Sequence, residues 1–338
     1  MADDLASWAR RRAPELLARA EAEAVAALRD ALVEAALAQR GTEMPARRPA
    51  RRATPEPRER ADAARAEAPT GDGLWAYCVL RTGEPGVDGL AGIDGGVVER
   101  VEARGLAALV SRVPLADFGA GPLRDNLNDL DWLERVARAH EAVLERVLAE
   151  TTIVPLRLCT IYESEDGVRE MLEREHDSLA RALDTLAGRQ EWGVKVLADE
   201  ERLTEEARSR SAEAAALEEE LDARTGGGAY MLRRRLERHV RDAADALASE
   251  LAEQVHAQLQ DWASDAVALA PQNPELSGHE GRMLMNGAYL VETERVDGLR
   301  ALVSDLEERH RSLGVRIELT GPWPPYNFLS GGGTAALA

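Results

Sequence analysis

The chain has few cysteines and no long apolar run, and each of these absences excludes a class of protein. Its two cysteines, Cys78 and Cys159, form no CxxC pair and lie within apolar runs, which predicts buried thiols in a cytoplasmic protein. No run approaches the roughly 18 consecutive apolar residues that a membrane helix needs. The first residues, MADDLASWARRR, are acidic and then basic with no apolar core, so we expect no secretory signal.

Lysine is almost absent as well, since Lys195 is the single lysine among 42 basic residues. The 61 acidic residues give a net charge of −19, which argues against nucleic acid and anionic membranes as principal partners. Hydrophobic residues make up 45% of the chain and charged residues 30%, as in a soluble globular protein with charged helical faces. With 338 residues, the chain is long enough for two domains.

Residues suited to catalysis or metal binding are scattered along the chain. The six histidines lie mostly in helical patterns, and His140 begins HEAVL, which lacks the second histidine of a zinc-binding helix. We therefore expect histidines on helix surfaces and no metal ligands. The triple glycine at 226–228 precedes a helix but lacks the ending of a phosphate-binding loop, so we interpret it as a helix break. The sequence predicts no catalytic residue, cofactor or metal site.

The N-terminal region divides into a helix and a linker. Apolar residues recur at three- and four-residue steps, which predicts an amphipathic helix over 1–40. Its leucines Leu16, Leu28 and Leu32 are candidates for docking a partner helix, because the segment has no core of its own. Residues 41–73 are rich in proline and arginine without periodicity, which predicts a solvated tether.

Two α+β domains are expected after the linker. The first, 74–190, is predicted as a variant sheet-plus-helices domain in which three strands precede a helix, a strand and a helix. Its predicted elements are strand 74–80, two strands within 96–114 around Arg104-Gly105, a helix from Asn128 or Asp129 to about Glu150, strand 151–162, and a helix capped by Ser164 and ending near Gly188.

The second domain, 191–321, follows the β-α-β-β-α-β order of a ferredoxin-like fold. Its predicted elements are strand 191–199, helical tracts 200–222 and 229–258, strands 263–271 and 281–293, helix 296–313 and strand 314–320. The fold class is therefore α+β with two domains and an N-terminal helical extension. Residues 322–338 are assigned to a proline- and aromatic-rich strap and a flexible tail.

The stretch LTGPWPPYNF near the C-terminus is the most unusual in the chain. Its prolines exclude a helix and an ordinary inner strand, and a polyproline II conformation would place Trp323 and Tyr326 on one face. We interpret the stretch as a structural strap in preference to a partner-binding epitope, although the covered surface belongs either to the protein itself or to a partner. The residues of this motif are Gly321, Pro322, Trp323, Pro324, Pro325, Tyr326 and Phe328.

The segment RIELTGPWPPYNF closely resembles the C-terminal signature of the gas vesicle accessory proteins of the GvpF/GvpL family. TIVPLRLCTIYESEDGV resembles the central "PLRFGT"-like segment of that family, to which Pro155, Leu156 and Arg157 correspond. Leu158-Cys159 stands where the family segment has an aromatic–glycine pair. The resemblance covers about residues 74–329, so residues 1–73 lie outside it.

The resemblance implies a cytoplasmic, non-enzymatic assembly factor that acts at the gas vesicle. Such a protein binds the hydrophobic GvpA-type shell protein, prevents its aggregation and contacts other accessory proteins, without a cofactor. Two alternatives remain open: a scaffold that contacts only accessory proteins, and a small-molecule sensor or enzyme, because ferredoxin-like domains support both.

Overall fold

The computed structural model describes residues 71–85, 89–127, 129–224, 227–269 and 281–329. The chain divides into two compact units, the first ending at Leu183 and the second beginning at Asp184. Both units combine helices with an antiparallel sheet, which confirms the α+β prediction. The candidate docking leucines Leu16, Leu28 and Leu32, residues 41–70 of the predicted linker and residues 330–338 lie outside the described residues. The last two residues predicted as linker, Asp72 and Gly73, belong to the first strand.

The helices and strands are numbered here along the chain. The elements that begin in the first unit are β1 (Asp72–Arg81), β2 (Val98–Ala103), β3 (Leu106–Pro114), α1 (Leu115–Phe118), α2 (Ala120–Asn126), α3 (Leu130–Leu148), β4 (Val154–Pro155), β5 (Ile161–Tyr162), α4 (Glu165–Arg174) and α5 (His176–Leu186). The elements of the second unit are β6 (Arg189–Ala198), α6 (Glu200–Arg210), α7 (Ala212–Asp222), α8 (Gly227–Trp262), β7 (Asp265–Leu269), β8 (Arg282–Glu292), α9 (Val296–Arg309) and β9 (Arg316–Trp323).

The first sheet has the strand order β2-β3-β1-β4, with β5 also pairing with β1. Strands β2 and β3 form the predicted hairpin around Arg104-Gly105, and both turn residues have positive φ. The middle of β1 is buried on both sides, because α3 packs against this strand while α4 packs against β2 and β3.

The helix starts predicted from capping residues are confirmed. The Asp129 carboxylate accepts hydrogen bonds from the backbone N–H groups of Asp131 and Trp132 at the start of α3. The Ser164 hydroxyl accepts one from the N–H of Gly167 at the start of α4. Each side chain satisfies donors that a first helical turn leaves without partners.

Three predicted elements are shorter or more broken than expected. The strand 151–162 is reduced to two short pieces, β4 and β5, because a turn at Arg157–Thr160 interrupts it. The helix after Ser164 is divided at Glu175. The tract 200–222 is divided at Ser211, which has extended backbone and caps a new helix by accepting from the N–H of Ala214.

The second sheet has the strand order β7-β8-β6-β9, with antiparallel pairing throughout. Alternate residues of β6, Trp192, Val194 and Val196, join a core that includes residues from α6, α8 and α9. Since side chains alternate along a strand, Glu191, Gly193 and Lys195 face the opposite side of the sheet.

The core of the first unit contains a buried polar group, the imidazole of His140 in α3. Its Nδ1 accepts a hydrogen bond from Trp75 Nε1 at 3.0 Å, and the ring stacks on Tyr77. The expectation of a helix-surface histidine is therefore wrong at this position, where the side chain is fully buried. Burial lowers the pKa of His140 to about 4, while a hydrogen bond with the backbone of Leu156 acts in the opposite sense.

This arrangement predicts a pH-dependent stability. His140 stays neutral in the folded chain at a pH where the unfolded chain, with a pKa near 6.5, already binds a proton. The stabilisation is present above about pH 6.5 and is lost as the pH falls towards 4. Between pH 7.5 and 5.0 we expect a loss of about 2 kcal/mol in unfolding free energy from this group. Urea titrations of the wild type and of His140→Gln at both pH values measure it, and equal pH dependence in the two proteins would contradict it.

Candidate interaction surfaces

The C-terminal strap, defined here as residues 321–329, begins within the last strand. Strand β9 is at the edge of the sheet and continues through Pro322 to Trp323, which pairs opposite Glu191 of β6. An edge strand tolerates proline, because one of its sides needs no N–H donors for the ladder. The polyproline II prediction is therefore wrong for the first part of the motif. Its last part is a 3-10 turn over Tyr326–Phe328.

A buried carboxylate holds the strap in place. Glu191 is 2% exposed, and its two oxygens accept hydrogen bonds from Asn327, at 3.1 Å from the backbone nitrogen and at 2.7 Å from Nδ2. The 3-10 turn also lies against β7, at the opposite edge of the sheet. The strap consequently crosses the sheet from β9 over β6 and β8 to β7, on the face that the helices leave free.

The apolar residues of the strap are mostly buried against the protein itself. Trp323 is buried, and its Nε1 donates to Thr320 Oγ1 at 3.1 Å. Pro324, Pro325 and Phe328 are also buried, Tyr326 is half-buried and Pro322 is exposed. Close packing explains the preceding glycine: Gly321 has a φ of 138°, and a Cβ there would lie 3.0 Å from the carbonyl oxygen of Glu191.

The same face of the sheet carries the only lysine of the chain. Lys195 is buried, and the strand register places it between Asn286 of β8 and Glu318 of β9. Cross-strand neighbours of opposite charge stabilise a sheet. The sequence alone did not indicate this arrangement, since the strand order is needed to bring the three positions together.

The segment that resembles the "PLRFGT"-like motif, Pro155, Leu156 and Arg157, lies in the first unit. Pro155 of β4 pairs opposite Cys78, and the N–H of Leu156 donates to the carbonyl of Tyr77 at 2.8 Å. Leu156 is buried and Arg157 is half-buried. The carbonyl of Arg157 accepts from both the backbone N–H and the hydroxyl of Thr160, so the segment ends in a tight turn.

Cys159 lies within that turn with a φ of 66°. This is the left-handed region, which glycine adopts freely and residues with a Cβ adopt at a cost. In the aromatic–glycine pair of the resembled segment, the glycine corresponds to this position. A left-handed backbone explains a glycine there, and it means that the backbone of Cys159 is strained. Burial also raises the pKa of the Cys159 thiol to about 12, which keeps the sulfur protonated at neutral pH.

A third surface is formed by α7 and the first half of α8, which we call the helical arm. At about 1.5 Å per residue, the 36 residues of α8 span about 54 Å. Its second half packs on the sheet, with Ala248, Leu251 and Val255 in the core. Its first half forms a separate apolar cluster with α7, so the arm has its own small core.

The described part of the chain contains no metal-binding cluster and no helix that could span a membrane. Within those residues no group of three histidine, cysteine, aspartate or glutamate side chains is placed to hold a metal ion. No described helix combines the length and apolar character needed to cross a bilayer.

Comparisons with known proteins identify the family. The family model described as gas vesicle synthesis protein GvpL/GvpF matches residues 73–330. Gas vesicle protein L of Streptomyces sp. (strain CB03234) is 40% identical over 257 residues, covering 75% of this chain and 91% of the relative. Gas vesicle protein F of the same strain is 28% identical, covering 75% of this chain and 98% of the relative.

Solved structures agree in fold. The crystal structure of the gas vesicle protein GvpF from Anabaena sp. PCC7120 matches with a TM-score of 0.61 at 19% identity, covering 77% of this chain and 98% of that chain. The chain therefore belongs to the GvpL/GvpF family and is a gas vesicle accessory protein.

The strap predicts a specific loss of stability in the second unit. Truncating a buried aromatic side chain costs about 3–5 kcal/mol, so Trp323→Ala should lower the unfolding free energy of this unit by several kcal/mol. The control is Tyr230→Ala, which removes an exposed aromatic of the same unit and should change it by no more than about 0.5 kcal/mol. Urea unfolding measures both variants. Unchanged stability of Trp323→Ala together with lost partner binding would identify the strap as an epitope.

The strained turn predicts that glycine stabilises the first unit. Cys159→Gly relieves the left-handed backbone and should raise the unfolding free energy by about 0.5–1 kcal/mol, net of the larger entropy of the unfolded glycine chain. Cys159→Ala is the matched control, because it removes the thiol and keeps the Cβ. If alanine stabilised the protein as much as glycine in urea titrations, the thiol and not the backbone would be responsible.

Proposed function

We propose that this accessory protein is a non-enzymatic assembly factor that binds the hydrophobic GvpA-type shell protein and keeps it from aggregating before it enters the vesicle wall. It also contacts other gas vesicle accessory proteins, works in the cytoplasm and at the growing vesicle, and needs no cofactor. The observation that carries the proposal is the family match over residues 73–330. That match extends through both compact units. In separate comparisons, this chain covers 91% of gas vesicle protein L and 98% of gas vesicle protein F of the Streptomyces strain.

A factor of this kind acts by mass action. Binding the shell protein lowers the concentration of free shell subunits, and aggregation, which depends steeply on that concentration, slows accordingly. The net charge of −19 opposes association of the resulting complexes with one another. The docking element that we propose for a helical partner is the N-terminal helix over 1–40, with Leu16, Leu28 and Leu32 as its apolar contacts.

The finer architecture that we propose is a ferredoxin-like second domain over 191–321, after a variant α+β domain over 74–190. In favour of it, the four strands of the second sheet, counted within the unit, lie in the order 2-3-1-4 with antiparallel neighbours. A split βαβ arrangement generates this order, because the third strand inserts between the first two. Residues 322–338 would then form a separate C-terminal segment, of which the part within the strap lies on the free face of the sheet.

Co-expression of the shell protein with the full chain tests the function. The expected result is that shell protein moves from the insoluble to the soluble fraction and is recovered on a tagged copy of this chain. Insoluble shell protein that is absent from the recovered material would contradict the assembly-factor proposal. If accessory proteins were still recovered, the chain would be a scaffold that contacts only those proteins.

The N-terminal helix is tested in the same experiment. Replacing Leu16, Leu28 and Leu32 by aspartate should reduce recovery of helical partners while leaving the fold of the two units unchanged, as judged by circular dichroism. Full recovery with this variant would exclude the helix as the docking element.

A further inference from the structure

The helical arm leaves one face of α8 without a partner among the described residues. Its small core is formed by Ala214 and Leu217 of α7 with Leu232, Leu236 and Val240 of α8. These three α8 residues repeat at four-residue steps and therefore share one face. The opposite face of the same turns is exposed to solvent.

This exposed face is strongly basic. Residues 233–241 contain five arginines and one acidic residue, Glu237. Arg235 pairs with Glu213 of α7. By contrast, Arg233, Arg238 and Arg241 are exposed and make no ion pair with any other described residue. Most exposed arginines elsewhere in the described helices have carboxylate partners, such as Arg146 with Glu150 and Arg309 with Asp305.

Two large apolar side chains accompany the arginines. Tyr230 is 58% exposed and Met231 is 68% exposed, and in the described part of the chain only Val97 is a comparably exposed large hydrophobic residue. The guanidinium of Arg234 lies 5.8 Å from the centre of the Tyr230 ring. A face with an aromatic residue, a methionine and arginines has the composition that is enriched at protein interfaces.

The charges of α8 are also segregated along its length. The basic stretch is followed by Asp242, Asp245, Glu250, Glu253 and Asp261, with no further basic residue except His256. The first turn carries no acidic residue and the last turn no basic one, so the helix dipole is not complemented at either end. The segregation therefore brings no evident benefit to the isolated helix.

We propose that the exposed face of the arm, Tyr230, Met231, Arg233, Arg234, Arg238 and Arg241, docks an acidic segment of another polypeptide that carries an apolar anchor. Glutamate or aspartate side chains pair with the three arginines that have no described partner, and the apolar anchor covers Tyr230 and Met231. The proposal concerns this surface only and does not require the shell protein to be the partner.

The short distance over which charges act at physiological salt favours a short acidic protein segment over an extended polyanion. The face runs for about 17 Å along the helix at about 1.5 Å per residue, while charges are screened beyond about 8 Å at physiological salt. A short segment can stay on the basic face. A nucleic acid or an anionic membrane must also approach the body of a protein whose net charge is −19, which repels it.

A binding assay with the full chain tests this surface. The probe is a fluorescein-labelled synthetic helical peptide of glutamate with leucine anchors, measured by fluorescence anisotropy in about 0.15 M salt. We expect binding that weakens about tenfold or more in the triple variant Arg233→Gln, Arg238→Gln, Arg241→Gln. Tyr230→Ala with Met231→Ala should weaken it severalfold. All these residues are exposed, and circular dichroism checks that each variant is folded.

The matched control removes three positive charges at positions outside the arm. Arg146→Gln, Arg309→Gln and Arg311→Gln together change the net charge equally at exposed, ion-paired positions, and should alter binding less than twofold. Equal weakening by the two triple variants, or no binding by the wild type, would overturn the proposal. Tighter binding of single-stranded DNA or of phosphatidylserine vesicles, lost in the arm variant, would reassign the face to a nucleic acid or a membrane.

Discussion

The hydrogen-bonded contact between Glu191 and Asn327 holds the strap over the free face of the sheet in the second unit. The two residues are 136 positions apart in the chain, and the carboxylate is almost fully buried. A buried carboxylate is tolerated when donors satisfy its oxygens, and Asn327 supplies one from its backbone and one from its side chain. Because the loss of Asn327 would remove one hydrogen-bond donor from each oxygen of this buried carboxylate, the strap and the sheet stabilise each other.

The coverage of the two sheets also indicates which parts of the chain can bind a partner. Helices cover one face of the second sheet and the strap covers part of the other, while β1 of the first unit is buried on both sides. Little apolar surface of either sheet therefore remains exposed for contact with a hydrophobic partner. We therefore propose that contacts with other polypeptides are made by the helical arm and by the helix predicted over 1–40. Apolar and charged side chains of these segments can contact a partner without opening a sheet.

Local signals in the sequence predicted local structure well, and long-range contacts account for what it missed. Asp129 and Ser164 correctly predicted where α3 and α4 begin, because capping depends only on neighbouring residues. The strap was recognised as unusual, but its conformation was predicted wrongly, because edge-strand pairing with β6 replaced polyproline II geometry. His140 was assigned to a helix surface, although tertiary packing against Trp75 and Tyr77 buries it. The arginines of the arm were visible in the sequence, but their lack of described partners required the fold.

Native-state hydrogen exchange at the backbone amide of Asn327 tests the central contact most directly. This amide donates to the buried Glu191 carboxylate, so it should exchange only through opening of the whole second unit, at a rate close to that of the amides in the middle of β6. Exchange as fast as that of a frayed chain end, with β6 still protected, would show that the strap is not held on the sheet and would contradict this account of the unit.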